Sequence, residues 1–351
     1  MFKSKLAGIF SPSIAIDLGT VNTLIAVKGR GIVLREPSAI AVSTGKRREI
    51  LAVGKDAIQM LGRTPGGINV VYPMRDGVVA DFELTATMLR FYMEKALGRR
   101  IGAFGVRLML CLPMCVTGVE RRALLDAAKG AGANEVMLMD EPMAAAIGAD
   151  LPVYDAVGSM IVDIGGGTTD AAVIALGGVA SYNSVRTGGT HIDAAIISHI
   201  QREYNVAIGE RTAEDIKKTV GSAVLGGTEH MEVRGRNRET GLPESLVISS
   251  SEINRAIMQP LREIVETVKL TLASTPPELA GDVMEHGIAL SGGGALLKGI
   301  DLLIARETGI RTVVAQDALD CVALGALLAL SDLSGITSVL EEKTAEEEAS
   351  M

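Results

Sequence analysis

The residues best suited to chemistry form one motif near the middle of the chain. The motif is DIGGGTTD at residues 163–170, with short apolar runs before and after it. Consecutive glycines let a backbone approach a ligand closely, and their N–H groups can point at anionic oxygens. The two threonine hydroxyls can bond to phosphate or water, and the carboxylates of Asp163 and Asp170 suit a hydrated Mg²⁺ ion. The motif predicts a phosphate-binding β-hairpin, and the alternative is a hairpin that binds no ligand.

A second hairpin of the same design begins at Asp17. The sequence DLGTVNT at residues 17–23 again lies between two apolar runs, and Asp163 follows Asp17 by 146 residues. That separation is about one domain length. The two hairpins therefore predict a duplicated fold that holds the phosphates of a nucleotide between its halves.

Glu141 is the candidate for acid–base chemistry. It stands where a strand predicted over 136–139 gives way to a helix, and Pro142 suits the first turn of that helix. A carboxylate at this junction can orient or polarise an attacking water. The alternative is an acidic residue that only complements the helix dipole. The small residues of this helix recur at residues 318–330, and the pair predicts two helices that cross closely between the domains.

Two further groups would complete a nucleotide pocket. Glu214 and Lys217 lie three apart on a predicted helix, so they can clamp a ribose or form an ordinary surface ion pair. A third glycine turn, at residues 292–294, follows an apolar strand and can line the base and α-phosphate. The Gly188–Gly189 turn opens a helix and is a weak candidate for an anion site.

The composition bounds the class of protein. The chain has 351 residues, of which 48% are hydrophobic and 40 are glycine, while aromatic residues make up 3%. These values predict about two domains of closely packed α/β layers. The net charge is −8, and no basic stripe with interleaved aromatic residues is present, which argues against nucleic acid as a partner.

The cysteines and histidines predict neither disulfides nor a zinc site. The three cysteines lie in apolar runs, and the four histidines are scattered without metal-ligand spacing. No apolar run reaches the roughly 20 residues of a membrane span, and the N-terminal segment lacks the form of a secretory signal. We therefore expect a reduced, cytoplasmic protein.

The N-terminal residues have an amphipathic pattern. Phe2, Leu6, Ile9 and Phe10 fall on one face of a predicted helix, and lysines lie off that face. This pattern is typical of a reversible membrane anchor. The alternative is a terminal segment that docks on the protein's own core.

A glycine-rich loop at residues 98–105 is a second apolar feature. Its tip carries Ile101, Ala103 and Phe104, and arginines flank it. Such a loop can contact a membrane or can fold back onto the core. The C-terminal residues 341–351 are acidic and predict a solvated tail.

Longer strings of sequence resemble the MreB family, the bacterial actins of the actin-like ATPase superfamily. The similarity extends from about Ile14 to about Leu330. Three departures leave open whether the chain is a principal MreB or a paralogue: Asp170 replaces a frequent Glu, no acidic residue follows Gly188–Gly189, and residues 318–324 differ. The strings that carry the resemblance are GIVLREPS at 31–38, MLGRTPG at 60–66, MRDGVVADF at 74–82, EPMAAAIG at 141–148, IGERTAE at 208–214 and TGLP at 240–243.

The resemblance implies an α/β fold of two RNase H-like domains. Each would be a mixed sheet flanked by helices, with a small inserted subdomain, and the nucleotide would lie in the cleft between the domains. The implied ranges are 1–12 for the amphipathic segment, 13–144 with 322–340 for domain I, about 30–74 for its insertion, 145–321 for domain II, about 181–248 for its insertion and 341–351 for the acidic tail.

The resemblance also implies a role for each candidate residue. ATP and Mg²⁺ would occupy the cleft, and Asp17 and Asp163 would hold the metal through water. Glu141 would position the attacking water, with help from Thr168. The residues that would line the nucleotide are Gly19, Thr20, Val21, Asn22, Gly165, Gly166, Gly167, Thr168, Gly292, Gly293 and Gly294, with Glu214 and Lys217 at the ribose and adenine.

A member of this family is expected to be a slow, Mg²⁺-dependent ATPase that forms filaments of paired protofilaments. Both apolar features would anchor it to the inner face of the cytoplasmic membrane, where it would act with the cell-wall elongation machinery and organise rod shape. The alternative is a monomeric chaperone-type ATPase of the same fold, but only a short acidic tail follows Leu330 where a client-binding domain would be needed. A sugar kinase would need a sugar-binding carboxylate in a larger insertion, and the sequence offers no candidate.

Overall fold

The computed structural model describes residues 12–45, 48–62, 67–102 and 105–331. The strands are β1 Ser13–Leu18, β2 Asn22–Val27, β3 Gly31–Pro37, β4 Ile40–Ser43, β5 Ile50–Val53, β6 Ile68–Val71, β7 Met74–Arg75, β8 Val78–Val79, β9 Val106–Leu112, β10 Ala133–Asp140, β11 Ser159–Ile164, β12 Thr169–Ala175, β13 Gly178–Val185, β14 Val206–Ala207, β15 His230–Asn237, β16 Pro243–Ser249, β17 Ile288–Ser291 and β18 Thr312–Val314. The helices are α1 Lys55–Met60, α2 Phe82–Leu97, α3 Gly118–Gly130, α4 Glu141–Gly148, α5 Gly189–Tyr204, α6 Glu210–Val220, α7 Ser250–Ser274, α8 Pro277–His286, α9 Ile300–Thr308 and α10 Cys321–Ser331.

Two five-stranded sheets share one topology. The first has the strand order β10-β9-β1-β2-β3, and the second has the order β13-β12-β11-β17-β18. In the first sheet β1 pairs antiparallel with β2 and parallel with β9, and in the second β11 pairs antiparallel with β12 and parallel with β17. The predicted duplication is confirmed, and mixed sheets flanked by helices confirm the α/β class.

The central strands of the two large sheets, β1 and β11, consist mainly of apolar residues that are buried on both faces of the sheet. Ile14, Ala15 and Ile16 of β1 have no exposed surface, and the same holds for Ile161 and Val162 of β11. Continuous apolar runs of this kind are typical of strands with helices on both sides of the sheet. The sheets are therefore rigid supports for the loops at their ends.

Helices α4 and α10 pack between the two sheets. Their alanines join Ala15 of the first sheet and Ile161 of the second in one apolar cluster. The close crossing predicted from the two small-residue segments is confirmed, although α10 begins at Cys321 rather than at residue 318. This cluster connects the cores of the two sheets.

Small sheets are inserted in both halves of the chain. The strands β4, β5 and β6 form one three-stranded sheet, and β14, β15 and β16 form another. The insertion predicted for about 30–74 is wrong at its start, because β3 pairs with β2 and belongs to the first large sheet. The other domain boundaries stay predictions.

The longest helix is α7, which follows β16 directly. The strand ends at Ser249, whose side chain accepts a hydrogen bond from the N–H of Glu252 and so caps the helix. Within the described part of the chain, no helix is both long enough and apolar enough to cross a membrane.

Candidate nucleotide site between the two sheets

The turns after β1 and β11 meet face to face. A methyl group added to Gly166 would lie 2.5 Å from a side-chain carbon of Val21, and one added to Gly167 would lie 2.6 Å from the hydroxyl of Thr20. Both distances are shorter than van der Waals contact, so glycine is needed for this approach. The structure thus brings together the two hairpins that the sequence singled out.

The loop between β11 and β12 is held in place by the start of α5. The N–H groups of Gly189 and Thr190 donate to the carbonyl oxygens of Gly165 and Gly166, at 3.0 and 2.8 Å. These are N–H groups that the first turn of a helix would otherwise offer to an anion. The anion site considered for this turn is therefore wrong, because both groups anchor the loop instead.

Three aspartates lie at the base of the contact between the turns. Asp163 and Asp170 face each other across β11 and β12, and they are 6% and 0% exposed. Burial raises the pKa of Asp163 to about 6 and that of Asp170 to about 7. Burial and the charge of Asp163 raise the pKa of Asp17, on the other sheet, to about 7.

Ser291 is a site residue that sequence reasoning missed. It lies beside Asp163 in the parallel pairing of β11 with β17, and its hydroxyl donates a 2.7 Å hydrogen bond to Asp163 Oδ1. This bond lowers the pKa of Asp163 against the effect of burial. The only signal was its position just before the third glycine turn.

The aspartates carry charge that a cation would offset. The part of the chain that the structure describes contains no group of three His, Cys, Asp or Glu side chains placed to coordinate a metal directly. Mg²⁺ commonly keeps several waters and binds few carboxylates. Burial raises the pKa values of Asp17 and Asp163, and a nearby cation would stabilise their charged forms. These two carboxyl groups therefore fit an ion that is held through its water shell.

Glu141 lies at the same place, at the first position of α4. It is 7% exposed. Burial and then the charges of Asp17, Asp170 and Asp163 raise the pKa of Glu141 well above its usual range. A carboxylate that serves only a helix dipole is stabilised as the anion. The raised pKa therefore favours a site role over the dipole role.

The β7–β8 turn adds residues that sequence reasoning also missed. The N–H of Gly77 donates to the Thr20 hydroxyl at 3.0 Å. A methyl group on Gly77 would lie 3.1 Å from the side chain of Thr168, and one on Gly167 would lie 2.8 Å from the Cα atom of Asp76. An Asp-Gly pair, here Asp76-Gly77, is a local turn signal that could have indicated this turn. The turn covers Thr168, which is 5% exposed.

Lys217 lies beside the loop that α5 anchors. Its Nζ donates to Asp193 Oδ2 at 2.9 Å and to the carbonyl oxygen of Gly189 at 3.0 Å. Glu214 pairs with Lys218, at 2.6 Å, on a more exposed side of α6. Burial raises the pKa of Asp193 although Lys217 opposes the shift. Asp193 is a further residue that the sequence did not single out.

The third glycine turn packs against the end of β11. A methyl group on Gly292 would lie 2.4 Å from the carbonyl oxygen of Ile164, and one on Gly294 would lie 2.2 Å from the Ile164 side chain. Packing therefore explains these two glycines whether or not a nucleotide lies beside them. In the first turn, a methyl group on Gly19 would lie 2.7 Å from the carbonyl oxygen of Asn22, so that turn is equally tight.

Of the residues predicted to contact a membrane, the structure describes Ile101. Its side chain is partly buried against the core of the first sheet, and a methyl group on Gly132 would lie 3.3 Å from it. This packing favours the alternative in which Ile101 folds back onto the core. The other residues of the two apolar features, which lie outside the described part of the chain, are Phe2, Leu6, Ile9, Phe10, Ala103 and Phe104.

Two sheets of equal topology, joined by crossing helices and meeting at paired glycine turns, define an actin-like fold. The family model for the MreB/Mbl protein matches residues 11–338. The chain belongs to the MreB/Mbl family.

Individual relatives agree with this assignment. The cell shape-determining protein MreB of Escherichia coli (strain K12) is 52% identical over 325 residues, which cover 92% of this chain and 94% of that protein. The cell shape-determining protein Mbl of Bacillus cereus (strain ATCC 10987 / NRS 248) is 44% identical over 328 residues, covering 93% and 97%. The crystal structure of MreB5 of Spiroplasma citri bound to ADP matches with a TM-score of 0.87 and 38% identity, over 93% of this chain and 98% of that chain.

Proposed function

We propose that the chain binds ATP with Mg²⁺ between the two sheets, hydrolyses it slowly, and forms filaments that organise cell-wall synthesis and rod shape. The observation that carries the proposal is the contact of the two glycine turns above Asp17 and Asp163. Glycine turns supply N–H groups for phosphates, and the aspartates supply oxygens for the metal.

Backbone N–H groups in the two turns would bind the phosphates. The chain has no Lys-bearing Walker loop, so phosphate charge would be met by the turns at 19–22 and 165–168 and by the metal. Mg²⁺, when bound, would supply positive charge at the phosphate oxygens. Asp17 and Asp163 would orient its water shell, and the Ser291 hydroxyl would keep Asp163 in place.

Glu141 and Thr168 would act on the attacking water from opposite sides. Glu141 follows β10 of the first sheet, whereas Thr168 lies in the turn before β12 of the second. The Glu141 carboxylate would orient the water and accept its proton, and the Thr168 hydroxyl would hold its position. Since the two groups are carried by different sheets, their geometry depends on how closely the sheets approach. We expect this dependence to keep hydrolysis slow.

Lys217 and Glu214 would contact the ribose and adenine. Asp193 and the Gly189 carbonyl fix the Lys217 ammonium group, so its position would be set before a nucleotide arrives. A preorganised cation costs less entropy on binding than a free side chain. With the proposed domain ranges of 13–144 with 322–340 and of 145–321, all of these groups would belong to the second domain.

The relatives support the cellular part of the proposal. The similar proteins from E. coli and B. cereus are named for determining cell shape, and MreB5 of S. citri binds ADP in its crystal. By transfer, this chain would be a cytoplasmic protein, peripheral at the inner membrane face. Its partners would be other copies of itself, in paired protofilaments, the membrane and the cell-wall elongation machinery.

Electron microscopy of the full chain on an anionic lipid monolayer tests polymer and membrane together. We expect filaments with ATP and Mg²⁺, and fewer when EDTA replaces the metal. Removal of residues 2–10 should leave filaments in solution but reduce those on lipid. A chain that hydrolyses ATP yet stays monomeric at micromolar concentration would overturn the filament proposal in favour of a chaperone-type ATPase, and a chain that binds no ATP would overturn both.

A further inference from the structure

Asp170 makes a hydrogen bond that connects the two sheets. It lies on β12 of the second sheet, and its Oδ1 accepts a 2.9 Å hydrogen bond from the backbone N–H of Met114. Met114 follows β9 of the first sheet. Asp170 has no exposed surface, so the acceptor end of the bond is shielded from water, while Met114 is half-buried.

The segment Pro113–Cys115 that receives this bond has neighbours in common with both groups proposed to hold the attacking water. Pro113 is 2.6 Å from the position of a methyl group on Gly77, where the Thr168 side chain also approaches to 3.1 Å. At the other end of the segment, Cys115 lies in the surroundings of Glu141, whose pKa is raised first by burial and then by the charges of Asp17, Asp170 and Asp163, with Cys115 the last contributor. A shift of Pro113–Cys115 would therefore disturb both groups.

The second oxygen of Asp170 gives no purely structural reason for a carboxylate here. Oδ2 has no partner in full hydrogen-bond geometry among the described residues; burial raises the pKa of Asp170, and hydrogen bonding from the neighbouring Ser184 hydroxyl on β13 is the main influence that lowers it. Burying a carboxylate with one oxygen unsatisfied costs free energy, since each unmet buried acceptor carries a desolvation penalty of about 1–3 kcal/mol. The 2.9 Å hydrogen bond to the Met114 N–H is the contact through which Asp170 reaches the first sheet.

We propose that Asp170 is a positioning residue for ATP hydrolysis, which holds Pro113–Cys115 so that Glu141 and Thr168 face the same water when the sheets approach each other. This inference rests on the proposed ATPase function. Asp170 acts through the Met114 N–H and contacts neither the nucleotide nor the water. The bond forms across the two sheets, so it makes the rate of hydrolysis depend on their closure.

Two substitutions separate positioning from charge. Asp170→Ala removes the acceptor, whereas Asp170→Asn keeps an oxygen that can accept from Met114 and removes the charge. We expect Asp170→Ala to lower single-turnover hydrolysis by about tenfold to a hundredfold, because small misplacements of reacting groups have effects of this size. ATP affinity should change by less than about threefold, and Asp170→Asn should recover most of the rate. Asn183→Ala is the matched control, because Asn183 pairs with Ala171 and lies on the opposite face of β13 from the position paired with Asp170, and it should hydrolyse ATP at the normal rate.

Hydrogen exchange of the Met114 amide measures the bond itself. In the full chain this amide should exchange slowly, and more slowly still with a non-hydrolysable ATP analogue. It should exchange faster in Asp170→Ala but not in Asp170→Asn. A normal hydrolysis rate in a folded Asp170→Ala protein would overturn the proposal, as would loss of activity in Asp170→Asn with the Met114 amide still protected. If Asp170→Ala does not fold, a Met114 amide that is unprotected in the unsubstituted chain overturns it.

These outcomes are distinct from failure of the proposed function. If the unsubstituted chain releases no phosphate from ATP, the ATPase proposal fails whatever the exchange of Met114 shows. If the unsubstituted chain hydrolyses ATP and Asp170→Ala does so equally well, only the role of Asp170 fails.

Discussion

Gly325 on α10 lies directly against the carbonyl group of Ala144 on α4. A methyl group added to Gly325 would be 1.8 Å from that oxygen, and a methyl group added to Gly148 would be 1.9 Å from the carbonyl oxygen of Cys321. The backbones of the two helices therefore touch at both ends of their crossing. This crossing joins the cores of the two sheets. The distance between the two helices therefore fixes the relative position of the sheets on either side of the proposed cleft.

Gly325→Ala should destabilise the protein by about 1–3 kcal/mol or more, the usual cost of overpacking an interior. The helices would have to separate, because the contacted atom belongs to the backbone. Thermal unfolding measures the loss, which should lower Tm by several degrees. The matched control is Gly281→Ala in α8, where an added methyl group meets nothing within 4 Å. That change should be neutral or stabilise by up to about 1 kcal/mol. Equal Tm values for the two variants would show that the crossing can relax.

Local sequence patterns predicted the elements of the site better than its contacts. The hairpins at Asp17 and Asp163 were found because a Gly-rich turn between apolar runs is a local signal. Their meeting followed from the repeated spacing and the family resemblance. Ser291 beside Asp163 depends on β17 pairing with β11, across more than a hundred residues of sequence, and no local pattern encodes that pairing.

The side-chain partners were harder to predict for a similar reason. Glu214 and Lys217 share a helix face, yet Lys217 bonds to Asp193 of another helix. Helical spacing shows which side chains can reach each other on one helix. Tertiary packing determines which of these contacts form and which are replaced by contacts with another element. The same limit applies to β3. Its residues fit a strand of an insertion as well as a strand of the large sheet, and only the pairing with β2 distinguishes the two.

Glu141→Gln should abolish most ATP hydrolysis while it leaves nucleotide binding nearly intact. Glutamine keeps the size of the side chain but cannot accept a proton from water. We expect phosphate release to fall by about a hundredfold, within the range of general base catalysis. The control is Glu278→Gln, an exposed acidic residue that also lies in the first turn of a helix. If both changes have the same small effect, Glu141 serves the helix dipole alone.

Lys217→Met should weaken ATP binding by about tenfold, which corresponds to about 1.4 kcal/mol. The change also leaves Asp193 buried without its cation, so stability should fall in the absence of nucleotide. Isothermal titration with ATP measures the affinity. Lys218→Met is the matched control, because Lys218 is 66% exposed and forms a surface pair with Glu214. Equal affinities for the two variants would remove Lys217 from the nucleotide site.

The aspartates of the cleft should make stability depend on pH in a defined direction. Burial raises the pKa of Asp163 from 3.8 to about 6 in the folded chain. The folded state therefore binds more protons than the unfolded state between about pH 4 and pH 6, and the free energy of unfolding falls as pH rises through this window. The contribution is fully present below the unfolded pKa and is lost above the folded one.

Asp163→Asn should remove the contribution of Asp163 to this dependence and stabilise the chain at about pH 8, by up to ~3 kcal/mol in the absence of metal and nucleotide. At about pH 3, below the unfolded pKa, the two proteins should be nearly equally stable, because the aspartate is then protonated in both states. Denaturant unfolding at both pH values gives the comparison. With Mg²⁺ and ATP the order at about pH 8 should reverse, because the cation stabilises the charged aspartate and gains nothing from the amide. An Asp163→Asn protein that is stabilised by Mg²⁺ and ATP as strongly as the unsubstituted chain would contradict the assignment of Asp163 to the metal.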